Sequence, residues 1–172
     1  MTLRTIVVDG GSGSGKTTLA RLLQALWQEL AARPVQLVSL DDCYPGWNGL
    51  SAGSLMVFRD VLHPLRPGYL RWDWERQRPA QWVPLDPTAP LVVEGCGSLT
   101  RSSRRLADLA LWVELGADER KRRALARDGA GFEPWWDTWA EQEAAHWAAH
   151  QPQRLADLVV PGDMTREDLL AI

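Results

Sequence analysis

The chain is predicted to be an α/β protein built on a parallel sheet, and three observations predict it. Short runs rich in Val and Leu alternate with longer stretches whose apolar residues recur at helical spacing. The first run, Ile6-Val7-Val8-Asp9, feeds directly into Gly10-Gly11-Ser12-Gly13-Ser14-Gly15-Lys16-Thr17-Thr18, which fits G-x-x-x-x-G-K-[ST] without a mismatch. The 172 residues are enough for one domain whose core needs neither disulfide nor metal.

Each element follows from its own pattern. Strands are expected at Thr5 to Asp9, Val35 to Leu40, Pro90 to Glu94, Leu109 to Leu115 and Asp157 to Pro161, each apolar enough to be buried on both faces. Helices are expected at Lys16 to Ala31, Ser51 to Leu62, Asp118 to Arg127 and Pro134 to His150; in the first, Leu19, Leu22, Leu23, Leu26, Trp27 and Leu30 share a face. The segment from His63 to Pro90 breaks the alternation, holding six of the eleven prolines with Trp72, Trp74 and Trp82. Within it Tyr69 to Trp74 alternates, with a turn at Glu75 to Ala80 and a return through Gln81-Trp82-Val83. A hairpin insert is therefore expected between strands two and three, its Leu70, Trp72 and Trp74 face packing on the domain and its Arg71 and Asp73 turned toward the ligand crevice. The fold expected is a three-layer α/β/α P-loop NTPase type with five parallel strands, as a single domain over residues 1–172.

The glycine-rich turn has a chemical meaning. A backbone without side chains can close around a triphosphate and aim its N–H groups at it, aided by the positive end of the following helix. Gly11, Ser12, Gly13, Ser14, Gly15, Lys16, Thr17 and Thr18 form that cradle, with Lys16 reaching the β/γ-phosphates and the Thr17 hydroxyl facing Mg²⁺. Ligands of open α/β sheets bind beyond the carboxyl ends of the strands, so the residues just after each run matter most. Strand two ends in Asp41-Asp42-Cys43-Tyr44 and strand three in Glu94. Asp41 or Asp42 can take the proton of an attacking hydroxyl or help organise the metal, and Glu94 stands at the Walker-B position as a metal ligand with Thr17 and Asp41. After strand four, Arg120, Arg123 and Arg127 share a helical face, which suits a lid over 118–128 that offsets charge during phosphoryl transfer.

Other features exclude classes. A net charge of −3 with no long basic run argues against nucleic-acid binding. No apolar run is long enough to span a bilayer and none precedes the first strand as a signal peptide, so a cytoplasmic protein is expected, with Cys43 and Cys96 as reduced thiols. His146 and His150 stand four apart on a helix without a third ligand, and Trp135, Trp139 and Trp147 recur at packing spacing.

These motifs resemble the uridine kinase and phosphoribulokinase branch of P-loop small-molecule kinases, which includes nicotinamide riboside kinase and pantothenate kinase. The turn at 9–18 looks like that branch's P-loop, and Ser39-Leu40-Asp41-Asp42-Cys43-Tyr44 is similar to its strand-two motif, whose first Asp, the base, falls on Asp41. Val92-Val93-Glu94-Gly95, Arg122 to Asp128 and Ala156 to Pro161 look like its Val-Glu-Gly segment, lid and last strand. The acceptor region departs: where uridine kinases carry Tyr/Phe-Asp-His-Pro, this chain has Tyr69-Leu70-Arg71-Trp72-Asp73-Trp74. The resemblance implies an ATP- and Mg²⁺-dependent phosphotransferase acting on a hydroxyl of a small, nucleoside-like or vitamin-like molecule. Asp42, Tyr44, Arg71 and Asp73 are the candidate acceptor contacts, and Arg123 and Arg127 the charge-neutralising arginines. Two alternatives stand beside it. One is a nucleoside monophosphate kinase of the cytidylate kinase type, drawing on Arg59, Arg66, Arg71, Arg76 and Arg78 for the acceptor phosphate. The other is a regulatory ATP-binding protein without an acceptor; a GTPase switch lacks support because no Asn-Lys-x-Asp motif is present. The oligomeric state is left open.

Overall fold

The computed structural model describes residues 3–171. Seven strands are β1 (Thr5–Gly10), β2 (Gln36–Ser39), β3 (Gly68–Asp73), β4 (Arg78–Pro84), β5 (Leu91–Glu94), β6 (Leu109–Glu114) and β7 (Leu158–Pro161). Five of them form a parallel sheet in the order β2-β5-β1-β6-β7, and β3 and β4 pair separately as an antiparallel hairpin. The five sheet strands match the expected runs to within one residue at each end.

The helices are α1 (Lys16–Leu30), α2 (Leu50–Met56), α3 (Arg101–Arg104), α4 (Ala117–Asp128), α5 (Trp136–His150), α6 (Pro152–Leu155) and α7 (Arg166–Leu170). The helix expected over Ser51 to Leu62 is α2 followed by a wide π turn, Val57–Val61, where Leu62 N–H donates to the Val57 carbonyl at 2.9 Å. The short α3, α6 and α7 span too few residues to show an apolar period.

Strand alternation sorts β1 between two cores. Ile6 and Val8 pack with Leu19 and Ala20 of α1 and with Val92, Leu111 and Val113 on one side of the sheet. Val7 faces the other side with Val38 and Val93, beneath residues of α2, the hairpin and α5. Val7, Val8, Val38, Val92 and Val93 are wholly buried. Burying such side chains stabilises by about 1.5–3 kcal/mol each, so these layers hold the strand ends in place.

The hairpin differs from strict alternation. Its register shifts between Leu70 and Trp72, a bulge that turns the first half of β3 over. Tyr69 is therefore buried in the core, whereas Leu70 and its cross-strand partner Trp82 face outward.

β1 is also tied to the turn after β5 by a buried carboxylate. Asp9 Oδ1 accepts from the Gly10 and Gly97 N–H groups at 2.7 and 3.0 Å, and Oδ2 accepts from the Leu99 N–H at 2.8 Å. Asp9→Ala leaves all three donors buried without an acceptor. An unsatisfied buried group costs about 1–3 kcal/mol, so the variant is expected to lose roughly 3 kcal/mol or more in urea-induced unfolding. A loss under about 1 kcal/mol would show that the turn does not depend on this carboxylate.

Candidate active site

The phosphate loop runs from the end of β1 into α1, whose first residue follows Gly15 with no side-chain cap. Gly13 and Gly15 adopt φ of 77° and 98°, where an L side chain is strained. They also lack room: a Cβ on Gly13 would run into the Arg120 carbonyl, and one on Gly15 into the Gly162 carbonyl. The loop is thus wedged between the start of α4 and the turn after β7. Ser14 N–H closes the loop on the Gly11 carbonyl at 3.0 Å. The Gly13, Gly15 and Lys16 N–H groups have no protein acceptor among the described residues. That set of donors fits an oxyanion group such as a triphosphate.

A buried acid holds the loop from behind. Glu143 Oε1 accepts from Ser12 N–H at 2.7 Å and from the Cys96 thiol at 3.2 Å, and Oε2 takes Arg120 Nη1 at 3.4 Å. The same Arg120 nitrogen donates to the Ser12 carbonyl at 3.3 Å, and its guanidinium lies 5.3 Å from the Trp147 ring centroid.

In front of the loop, Lys16 is buried, and burial alone would push its ammonium down. The acidic groups around it, Cys96, Glu94, Asp41 and Glu143, outweigh that and hold it above the ordinary lysine range. Glu94 accepts from the Thr17 hydroxyl at 3.2 Å and from the Ser39 hydroxyl. Burial raises the Glu94 carboxyl, with Lys16 opposing the rise. Asp41 lies in a 3₁₀ turn, Leu40–Asp42, immediately after β2, its side chain exposed and its carbonyl accepting Trp74 Nε1–H at 2.7 Å. Thr17, Glu94 and Asp41 supply hard oxygen donors of the kind Mg²⁺ uses when phosphates complete its shell. No group of three or more His, Cys, Asp or Glu side chains converges among the described residues, so His146 and His150 remain a packed pair with ring centroids 4.6 Å apart.

Two cavities meet at this loop. The larger, about 470 Å³, is lined at one end by Ser12, Thr17, Thr18 and Asp41. The smaller, about 340 Å³, lies on the other side of the loop against Gly13, Gly15, Arg123 and the turn at Gly162. Arg127 lines both. Its guanidinium is held by neighbouring Asp128 at 2.6 and 2.8 Å. Arg123 is held by Glu119 at 2.7 Å and approaches the Gly162 carbonyl at 3.5 Å.

The predicted residues therefore separate into those that converge and those that do not. Ser12, Gly13, Gly15, Lys16, Thr17, Thr18, Asp41, Glu94, Arg123 and Arg127 surround the loop and its cavities. Gly11 lies beneath the Arg120 guanidinium, and Ser14 is fully buried with its hydroxyl unpartnered. The four candidate acceptor contacts are placed unequally: Tyr44 lines the large cavity, whereas Asp42, Arg71 and Asp73 do not. Asp42 pairs at 3.7 Å with Arg71 on the half-exposed flank of the hairpin, and neither lines the large cavity. Asp73 caps the hairpin turn by accepting from the Arg76 N–H at 2.9 Å. Tyr44 contributes its ring to the cavity, but its hydroxyl is spent on the Cys96 carbonyl at 2.8 Å. Arg120, expected on the lid stripe, is instead only partly exposed and packed under the loop. Sequence reasoning missed Glu143, Trp47 and Phe132. Glu143 had a signal, because it follows Trp136 and Trp139 and precedes His146 at three- and four-residue spacing, a charge on a core stripe.

Comparisons with known proteins agree with this fold. No family model matches the chain, and no curated protein matches it. Among solved structures it is similar to one described as a possible uridine kinase from Bacillus stearothermophilus, with a TM-score of 0.63, 19% identity and coverage of 93% of this chain and 90% of the other. It is also similar to shikimate kinase from Acinetobacter baumannii in complex with shikimate, with a TM-score of 0.56, 15% identity and coverage of 99% and 89%. The chain has the three-layer α/β/α fold of P-loop kinases.

A pH dependence follows from two buried groups near the loop. Burial, with the charge of His150 beside it, pushes His146 from 6.5 down to about 4. Between those values the unfolded chain binds a proton that the folded protein refuses, so His146 costs stability as pH falls through that window. Asp9 acts in the opposite sense: burial raises it from 3.8 to about 7, so its contribution grows as pH falls through that range. His146→Gln should remove only the first effect. The variant is expected to lose less thermal stability than the parent between pH of about 7 and about 4, read by melting curves. An equal loss in both proteins would refute this assignment.

Proposed function

We propose that the protein transfers the γ-phosphoryl group of ATP to a hydroxyl of a small molecule. The observation that carries this reading is the meeting of a phosphate cradle, Lys16, Thr17 and Glu94 with an adjoining cavity that Asp41 lines. A nucleotide enters from the smaller cavity beside Arg123 and Gly162, and its phosphates run over the loop N–H groups toward Lys16. Thr17 and Glu94, with Asp41 nearby, would hold Mg²⁺, which would supply neutralisation of phosphate charge when bound. The acceptor hydroxyl oxygen forms a bond to the γ-phosphorus as the bond to the β-phosphate oxygen breaks, releasing ADP, while the hydroxyl proton passes to the Asp41 carboxylate. Lys16 and Arg127 steady the charge on the moving group. Both solved neighbours are described as kinases, one with shikimate bound, which supports the same reaction class.

The alternatives have less to rest on. Arg59, Arg66, Arg71, Arg76 and Arg78, which a nucleoside monophosphate kinase would need, do not line the large cavity. A regulatory ATP-binding protein has no use for a second cavity at the γ-phosphate end.

Lys16→Ala is expected to abolish both turnover and the thermal shift produced by ATP, because it deletes the buried cation that the phosphates meet. An undiminished ATP-induced shift would sink the assignment of the loop. Asp41→Asn should keep ATP affinity within a few-fold while turnover falls roughly 10²-fold or more, the usual share of a positioned proton acceptor. Asp42→Asn is the control, expected to stay near the parent rate because that carboxylate faces Arg71; the opposite ranking of the two variants would transfer the role.

A further inference from the structure

Four charged side chains line the large cavity, and they do not pair off evenly. Arg127 and Asp128 hold each other at 2.6 and 2.8 Å. Asp41 is the candidate base. Arg21 is left over: no acid stands within ion-pair distance of it among the described residues, and its guanidinium donates to no protein acceptor there. Position also separates it from the nucleotide. Arg21 follows Thr17 by four residues in α1, so the two share a face of the helix, with Arg21 one turn further from the loop. It lines only the large cavity, whereas the smaller one, where the nucleotide enters, takes Thr18 and Leu19 from the same helix. The ring-bearing wall adds a second donor. The Tyr44 hydroxyl and the Trp74 N–H are spent on the Cys96 and Asp41 carbonyls, but the Trp47 N–H has no partner among the described residues. Away from the phosphate end and Asp41, the free polar groups of the cavity are therefore donors, one of them a full positive charge. That pattern is complementary to a ligand that brings acceptors and negative charge.

Resting on the phosphotransfer reading above, we propose that the acceptor is an anionic hydroxy compound, and that Arg21 selects it by pairing with its carboxylate or phosphate group while Asp41 takes the proton of its hydroxyl. A guanidinium offers such an anion a fork of parallel N–H groups, and a neutral alcohol or sugar has nothing that uses the charge. The body of the acceptor lies against the rings. Its charge, rather than the presence of a ring, sets the preference.

The test uses matched sets that differ by the anion: benzyl alcohol against mandelate, glucose against glucuronate, and glycerol against glycerate and glycerol phosphate. ADP release is measured with each, alongside quenching of tryptophan fluorescence in the ATP-loaded protein. In at least one set an anionic member is expected to show kcat/KM about tenfold or more above the neutral one. The glycerol set tells a carboxylate from a phosphate ester. Arg21→Gln should bring the ratio back toward one through a higher KM for the anionic member, while the ATP-induced thermal shift stays. Arg21 is exposed, so the substitution leaves the fold intact. Arg21→Lys, which keeps the charge without the fork, should restore part of the preference. Three outcomes would each overturn the assignment of an anionic acceptor and leave the kinase reading standing: preference for the neutral members, no turnover or quenching with any anionic member while ATP still shifts the melting curve, or an equal loss for both members of a set in Arg21→Gln. A thermal shift lost in Arg21→Gln would overturn it too, by giving the residue to ATP. Failure of the kinase reading shows differently, as an ATP-induced shift that survives Lys16→Ala.

Discussion

The Glu143 carboxylate behind the phosphate loop is the interaction on which the site depends. A loop of glycines and serines can cradle a polyphosphate only because it lacks side chains, and for the same reason it cannot hold its own shape. Glu143 supplies the missing restraint by accepting the Ser12 N–H, and Arg120 completes it by donating to the Ser12 carbonyl. One peptide segment is thereby gripped at both polar groups by a pair that is itself almost wholly buried. Such a pair is costly to desolvate, and its net contribution to stability is small at best. What it provides here is position: the loop N–H groups that are not gripped stay aimed into the cavity.

That grip also sets what α4 can do. Its first turn is fixed, because Arg120 pairs with Glu143 of α5 beneath the loop, and the helix backbone at that residue packs on Gly13. The next two arginines of the stripe, one and two turns further on, stand progressively freer, with Arg123 bridging Glu119 and the turn after β7 and Arg127 held only by its neighbour. Arg127 thereby lines both cavities from the end of a helix whose other end is packed on the loop.

Most of the architecture was legible because buried parallel strands are read as apolar runs and each was bounded by turn residues. The motif at 10–17 placed the loop, and the rule that ligands bind past strand ends placed Asp41 and Glu94. What escaped was of two kinds. Asp9, Glu143 and Arg120 act through contacts with residues far away in the chain, Glu143 and Ser12 being 131 positions apart, and spacing along one helix does not report such partners. The hairpin itself was legible, but the facing of its side chains escaped because strict alternation does not hold across a strand that carries a bulge. A register shift of that sort exchanges the faces, which is why Tyr69 rather than Leu70 enters the core.

The same bulge explains how an insert outside the main sheet comes to shape the site. With β3 turned over in its first half, Tyr69 anchors the base of the hairpin in the core beside α2, and the chain then swings so that Trp74, just past the strand, reaches back to the turn after β2. There its N–H takes the Asp41 carbonyl and its ring meets Trp47, which in turn stacks on Phe132 from the segment before α5. Three separate stretches of chain thus close one wall around a residue at the mouth of the cavity. The carbonyl that accepts Trp74 belongs to the same residue whose carboxylate is the candidate base, and Arg71 of the hairpin pairs with the adjacent Asp42 at 3.7 Å, so the turn after β2 is tied to the hairpin at two successive residues. The wall of the cavity and the candidate base thus share the same pair of contacts.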